Sequence, residues 1–310
     1  MLVFNNIDEI DISCDTCVTI GNFDGVHKGH QTLMKKAIEY SKLNNLKSVV
    51  FTFANHPVNY FKPGYVKNII TYDEKKTLLE DLGVDVLVNI PFGVEMTEIS
   101  AEDYVQNILI DKLHVKKLIV GHDFTFARKR EGNVEVLKKL STEKGFELEI
   151  VTPVLVDGKR VSSTDIRAMI AEGDVSGAEK LLGRYFAVEG IVIRARQIGR
   201  TIGFPTANLD VDKNMVIPQK GIYATIAKID NRVFCGATSI GTNPTVNGKG
   251  LSIETYILDF DEDIYDQRLR IEFVERMRDE IKFDSVEGLK EQLTEDVEYV
   301  RKNYVRHCQP

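Results

Sequence analysis

Val18-Thr-Ile-Gly-Asn-Phe-Asp-Gly-Val-His-Lys-Gly-His-Gln31 is the stretch whose reading decides the fold. Three β-prone residues, Val18, Thr19 and Ile20, run into Gly21. A short loop carries Asn22, Phe23 and Asp24 and ends at Gly25. His27 and His30 follow three apart, and a helical pattern then begins with Leu33, Met34, Ala37 and Ile38. The order is strand, glycine-flanked turn, helix N-terminus. The free amides and the dipole at such a helix start form an anion site. Two imidazoles three residues apart share one helix face and reach the same phosphate. The blander reading is a βα turn with two surface histidines. The whole string, with two glycines leading into His-x-Gly-His, favours a nucleotide site.

Outward from this turn, strands and helices alternate. Ser48–Phe53, Val84–Ile90, Lys117–Val120 and Phe146–Val151 read as strands. Asp73–Leu82, Ala101–Leu113 and Val134–Lys144 read as helices. Alternation of this kind predicts an α/β domain, with a parallel sheet and helices on both faces. Ligands then sit at the carboxyl ends of the strands. Gly21–His30, Asn55–Pro57 and Gly121–Arg130 all follow strand ends, so they are expected to converge on one rim. Neither a G-x-G-x-x-G nor a Walker A string occurs, which leaves phosphate binding to His-x-Gly-His.

Around Gly183–Tyr185 the texture changes. Phe186–Arg194, Gly221–Asp230, Arg232–Ser239, Ser252–Asp259 and Arg268–Val274 are short strand patterns separated by Gly, Asn, Asp and Pro. They predict an antiparallel barrel or sandwich. A last helix, Val286–Tyr304, carries Leu289, Leu293, Val297 and Val300 along one face. The expected division is residues 1–183 and 184–310.

The 310 residues carry a formal charge of −7 and no long Lys/Arg block. Arg128-Lys129-Arg130 is too small for nucleic acid and better suited to phosphate. No apolar run approaches a membrane span, and the N-terminus lacks a basic-then-apolar signal pattern. A cytoplasmic protein is expected, acting on small molecules rather than nucleic acid or membrane. Nothing in the sequence sets an oligomeric state. Cys14-x-x-Cys17 leads into a strand rather than a helix, and Cys235 and Cys308 stand alone, so reduced thiols are expected rather than a redox pair or zinc site.

Three further strings in the first half carry polar groups. Asn55-His-Pro57 ends the second strand, where His56 is either a site residue or a satisfied turn residue. Asp123, in the loop after Val120, can hold a ribose or a base edge. Ser162, Ser163 and Thr164 open a helix over Ile166–Glu172, with Arg167 in its first turn. Alone they read as an N-cap. Behind a His-x-Gly-His turn they read as a second phosphate clamp. Adenylyl transfer needs such parts, because positioning and charge stabilisation dominate it.

In the second half, Gly199-Arg-Thr-Ile-Gly-Phe-Pro-Thr-Ala-Asn-Leu209 stands out. Gly199 and Gly203 permit a tight loop in which Arg200 approaches phosphate. Beyond Pro205, Thr206 and Asn208 lie two apart on an extended segment and point to one side. Their hydroxyl and amide carbonyl are hard oxygens that suit Mg²⁺ with ATP. Glu254 shares a strand face with Tyr256, Leu258 and Phe260, a row in which burial is expected to raise its pKa.

These strings, taken in order over roughly residues 15 to 305, resemble the bacterial bifunctional riboflavin kinase/FAD synthetases. The resemblance implies an N-terminal Rossmann-like nucleotidyltransferase domain and a C-terminal Greek-key barrel of riboflavin kinase type, closed by a helix. It implies two ATP- and Mg²⁺-dependent reactions, riboflavin to FMN in the barrel and FMN to FAD in the α/β domain. In the first domain it implies ATP contacts from Gly21, Asn22, Phe23, Asp24, His27, His30, Asp123, Ser162, Ser163, Thr164 and Arg167. In the barrel it implies Glu254 as the base toward the ribityl 5′-hydroxyl. It also implies ATP or flavin contacts from Gly199, Arg200, Gly203, Pro205, Thr206, Asn208, Tyr223, Asn243 and Arg278. The family usually has Pro at Asn55, Arg at Thr125 and Gly at Ala127. The last change matters where that residue needs a positive φ. The competing readings are a nucleotidyltransferase for another phosphate acceptor with a flavin-binding regulatory barrel, and a flavin sensor without turnover.

Overall fold

The computed structural model describes the chain apart from residues 196–198, 200–201, 231, 244–249 and 305–310. Of Asn243 and Gly250 it gives only the place in a strand. Two compact units result, Met1–Ser163 and Thr164–Pro310.

The first unit is built on six parallel strands: β1 (Leu2–Phe4), β2 (Thr16–Ile20), β3 (Lys47–Phe53), β4 (Val86–Ile90), β5 (Val115–Gly121) and β6 (Glu147–Val151). Their order is β1-β4-β3-β2-β5-β6. The direction of winding reverses between β2 and β5, and the loops leaving those two strands flank the crevice where such sheets bind ligands. Alternation along each strand sorts the faces. Val18, Ile20, Val49, Phe51, Val88, Leu118 and Val120 pack with Tyr104, Val105, Ile108, Leu109, Leu137 and Leu140 in one core. Each such large buried side chain stabilises by about 1.5–3 kcal/mol. The alternate residues, among them Cys17, Thr19 and Val50, face the other way. There the helix Lys28–Asn44 buries Leu33, Met34, Ala37 and Ile38 against the sheet.

Two local expectations change. Ala101–Leu113 is not one α-helix: a single turn, Ala101–Asp103, passes into a π-helix, Tyr104–Ile110. The wider turn keeps Tyr104, Val105, Ile108 and Leu109 buried together. Cys14 and Cys17 are free thiols, and burial pushes the Cys17 thiol up to about 12, which makes it inert. Cys235 is disulfide-bonded, so the expectation of reduced thiols fails there.

A two-residue hairpin, β7 (Leu155–Val156) with β8 (Lys159–Arg160), ends the first unit's chain. The second unit opens with helices Ser163–Glu172 and Val175–Leu182. Its strands are β9 (Phe186–Ile193), β10 (Thr206–Val211), β11 (Gly221–Ile229), β12 (Arg232–Asn243), β13 (Gly250–Ile257) and β14 (Arg268–Arg278). They close antiparallel in the order β10-β13-β12-β11-β14-β9. The three consecutive strands β11, β12 and β13, with β14 returning beside β11, form a Greek key. Closure leaves no sheet edge, which decides for the barrel over the sandwich. Inside are Phe186, Phe273 and Tyr223, and a chain of threonine hydroxyls, Thr225–Thr238 and Thr238–Thr255, each 2.8 Å apart. Outside, Val297, Val300 and Tyr304 of helix Val286–Tyr304 cover Ala224, Cys235, Ala237 and Leu258.

Candidate active sites

In the first unit the turn after β2 is held in a costly shape. Phe23 and Val26 take φ of 44° and 40°, a region that bulky and β-branched residues rarely enter. Gly21 is needed because the Phe23 ring lies over it: an added Cβ would stand 2.7 Å from that ring. Phe23 meets His30 edge-on, with centroids 5.1 Å apart. His27 is not inside the helix but caps it. Its Nδ1 accepts from the His30 amide at 3.2 Å, and the two imidazoles stack 3.5 Å apart. Because Nδ1 accepts, the neutral His27 ring carries its proton on Nε2, a donor suited to phosphate oxygen. His27 is 5% exposed, and Gly29 makes room for its ring.

Asp24 is buried, and its carboxylate accepts from the Ile69 amide at 2.9 Å. Ser163 Oγ donates to the Asp24 carbonyl at 2.8 Å, so the end of this unit ties back to the turn. Ser162 is half-buried beside it in sequence, while Thr164 and Arg167 lie on the helix that opens the second unit. Asp123, on the loop after β5, is ion-paired with Arg160 of β8. Partial burial opposes ionisation of Asp123, but the Arg160 guanidinium wins and holds its carboxyl below the usual range. On the same loop Arg128 is engaged by Glu131 at 2.9 Å. Ala127 has φ 64° and ψ −177°, so the position where the look-alike family carries glycine does need a positive φ.

Asn55 clamps the end of β4. It accepts from the Phe92 amide at 2.7 Å and donates to the Phe92 carbonyl at 3.1 Å. His56 caps the short helix Pro57–Phe61 through Nδ1. Beside the turn a small cleft is lined by Asn22, Asp24, His56, Tyr72, Lys75 and Asn89, among others. Lys75 and Asn89 escape sequence reading. The signal for Lys75 was its place four residues before Leu79, on an apolar helix stripe.

In the second unit strand register gathers the expected residues. Asn208 of β10 is paired with Glu254 of β13, and Thr206 with Tyr256. Thr206 Oγ1 lies 3.5 Å from Glu254 Oε2. Glu254 is half-buried on the outer face, since Ile253, Thr255 and Ile257 fill the interior. The enclosed apolar row expected around it is therefore only partly formed. Gly199 is required, because a Cβ there would meet the Phe204 carbonyl oxygen at 2.2 Å. Gly203 has φ 89°, and Pro205 is exposed at the start of β10. Arg200 lies outside the described residues, as does the side chain of Asn243, whose backbone pairs with Gly250. Tyr223 is wholly buried, and its hydroxyl donates to the Gln219 carbonyl. Arg278 Nε donates to Asp296 Oδ1 of the terminal helix at 2.8 Å, and Nη2 to Oδ2. Among the described residues no cluster of three or more His, Cys, Asp or Glu side chains could hold a metal.

Fold and sites define a class: a His-x-Gly-His α/β unit joined to a Greek-key barrel with a Thr/Asn/Glu strand pair. The family description "FAD synthetase" matches residues 9–165, and "riboflavin kinase" matches residues 182–304. A bifunctional riboflavin kinase/FMN adenylyltransferase of Haemophilus influenzae is 38% identical over 91% of this chain and 92% of its own. The Escherichia coli protein of that description is 36% identical over 90% of each. A crystal structure of a protein called a macrolide-efflux protein, from Streptococcus pneumoniae, superposes with a TM-score of 0.90 at 33% identity. It covers 98% of this chain and 99% of that one. Among the described residues, no helix here is long and apolar enough to cross a membrane. The chain belongs to the bifunctional riboflavin kinase/FMN adenylyltransferase family.

Proposed function

We propose that the two units perform the two steps of flavin cofactor synthesis. The barrel phosphorylates riboflavin to FMN with ATP, and the α/β unit transfers AMP from a second ATP to FMN, giving FAD and pyrophosphate. The observation that carries the reading is the pairing of Asn208 with Glu254, with Thr206 beside them. The functional division falls at 183/184, supported by the family matches at 9–165 and 182–304.

In the barrel, Glu254 takes the proton from the riboflavin ribityl 5′-hydroxyl, whose oxygen attacks the γ-phosphorus of ATP while ADP leaves. The hydroxyl of Thr206 and the amide oxygen of Asn208 fit Mg²⁺ chemically, being hard donors on one side of a strand. Bound there with ATP, Mg²⁺ supplies charge neutralisation at the phosphates. Gly199, Gly203 and Pro205 shape the loop leading to them, with Arg200 toward phosphate and Asn243 and Arg278 toward nucleotide or flavin. Tyr223 acts from behind, through Gln219.

In the α/β unit, a phosphate oxygen of FMN attacks the α-phosphorus of ATP. His27, His30 and the first amides of the helix follow the developing charge. Gly21, Asn22, Phe23 and Asp24 shape the ATP side of the turn, and Asp123 faces the nucleoside. Ser162, Ser163, Thr164 and Arg167 hold the pyrophosphate. The substrates are small molecules, and the enzyme works in the cytoplasm without nucleic acid or membrane.

Two variants test the division. Glu254→Gln is expected to lower riboflavin phosphorylation by about 10²–10⁴-fold and leave FMN-to-FAD conversion intact. His30→Ala is expected to do the reverse. Folded protein in which either change abolishes both steps refutes two separate sites. Turnover of a different phosphate acceptor in place of FMN, or flavin binding without turnover, supports one of the competing readings instead.

A further inference from the structure

In the helix Tyr72–Leu82 the buried residues are Lys75 and Leu79, one turn apart. Lys75 is 8% exposed and Leu79 is fully buried. An ammonium placed there has to find oxygen partners or give up its charge. Its Nζ lies 3.3 Å from the Asn22 carbonyl oxygen. Burial holds its pKa below the ordinary lysine value of 10.5, and the Asp24 carboxylate opposes that effect.

Asn22 opens the strained turn. Positive φ at residues such as Phe23 and Val26 is strained, and persists only where the surroundings over-determine it. The surroundings here are a set of side-chain donors aimed at backbone oxygens. The Asn22 carbonyl receives Thr52 Oγ1 at 3.1 Å as well as Lys75. The Asp24 carbonyl receives Ser163, and the Val26 carbonyl receives Gln31 Nε2 at 2.9 Å. Of these donors only Lys75 is a cation, and it also faces the buried Asp24 carboxylate.

We propose that Lys75, as an ammonium, is a positioning residue for adenylyl transfer: it fixes the Asn22 carbonyl and balances Asp24, so that the turn delivers His27 to the helix start. The inference rests on the adenylyltransferase reading of this unit. It makes the geometry of the turn depend on one buried charge. When Lys75 loses its proton, Thr52 still holds Asn22 but Asp24 loses its cation. Folding lowers the lysine pKa, so the unfolded chain binds more protons between the folded value and 10.5. Through that window this group makes stability rise with pH. Activity lost there is therefore not unfolding caused by Lys75. The other titratable groups on the cleft are Asp24 on the turn, His56 after β3 and Tyr72 on the same helix; Asn22, Asn68 and Asn89 are uncharged.

The test measures kcat and KM for FMN adenylylation against pH in the full chain, with riboflavin phosphorylation as an internal control. Lys75→Met is expected to lower adenylylation kcat by on the order of tenfold to a hundredfold, with a smaller change in KM for ATP and no change in the kinase step. Lys75→Arg is expected to restore most of kcat. It should also move the alkaline limb of the profile upward, because guanidinium stays charged. Tyr72→Phe is expected to leave that limb in place. Parental kcat in Lys75→Met, or an unmoved limb in Lys75→Arg, overturns the proposal. Should Lys75→Met fail to fold, the Lys75→Arg limb decides. A parent chain that makes no FAD from FMN and ATP instead refutes the reading beneath it.

Discussion

The two sites are held in opposite ways. In the barrel unit the non-glycine residues with left-handed φ, among those described, are all aspartates: Asp230, Asp259 and Asp266. Aspartate tolerates that region. In the sheet unit Asn45, His114 and Asp157 adopt it elsewhere, and Phe23, Val26, Ala127, Lys129 and Arg130 adopt it on the loops that leave β2 and β5. Glu254, Asn208 and Thr206 are placed by regular strand pairing. The histidines are placed by a turn that is strained and then pinned through its carbonyls. One site takes its geometry from secondary structure, and the other has to build geometry against backbone preference. In the second kind, one residue, His27, both fixes the shape and is proposed to meet phosphate.

His27→Ala gives the largest effect by which to break that comparison. It removes the proposed phosphate donor and the ring that stacks on His30, so adenylyl transfer is expected to fall about 10²–10³-fold. It also removes the cap of a 17-residue helix, costing the sheet unit about 1 kcal/mol. Kinetics and thermal unfolding of the same variant check both. A rate loss with unchanged unfolding would separate chemistry from shape and collapse the contrast with the barrel.

Asp296→Ala sharpens the other side. Asp296 is 3% exposed and meets Arg278 with both carboxylate oxygens. Removing it strands a guanidinium between the barrel and the terminal helix, at a cost of about 3 kcal/mol to the barrel unit. Riboflavin KM is expected to rise as Arg278 loses its bearing. The turnover proposed to depend on Glu254 should change little, because strand register and not Asp296 holds that residue. A large kcat loss with unchanged KM would show that the barrel site is no more modular than the turn.

What the sequence made legible follows the same line. Period-two and helical patterns located the parallel strands, and both ends of Val134–Lys144 and Val286–Tyr304. Motif glycines mark both candidate sites in the sequence. The strand pattern alone leaves barrel or sandwich open, because closure depends on β9 pairing with both β10 and β14, far apart in the chain; the barrel came from the family resemblance. The edge strand Leu2–Phe4 is too short for a period, and the only sequence signal for the eight-residue helix Val175–Leu182 is its capping Asp174 and a short apolar stripe. Positive φ at Phe23 and Val26 has no side-chain signature, unlike Gly25. The Asp123–Arg160 pair joins residues 37 apart, and Asn55 serves its role through Phe92, also 37 away. Burial of Lys75 is not legible in the sequence, because a lysine in a helix ordinarily lies on its wet face.

Ala127→Gly gives the smallest effect and tests whether strain in the sheet unit is stored or merely tolerated. At φ 64° and ψ −177° the backbone is in a region open essentially to glycine. Relief of about 1–3 kcal/mol of strain competes with roughly 0.5–1 kcal/mol lost to the greater freedom of glycine in the unfolded chain. A net gain of about 1 kcal/mol in the stability of this unit is expected, read from denaturant unfolding. The neighbours bear on the sign. Phe126 pairs with Gly132 through both backbone bonds, at 3.0 and 3.1 Å, and the Arg128 amide reaches the Ile99 carbonyl at 2.9 Å. The loop is thus held on both sides of Ala127, and the substitution changes the cost of the conformation rather than the conformation. An unfolding midpoint at or below the parental one would mean that these bonds already absorb the strain, and that the sheet unit differs from the barrel in shape but not in stored energy.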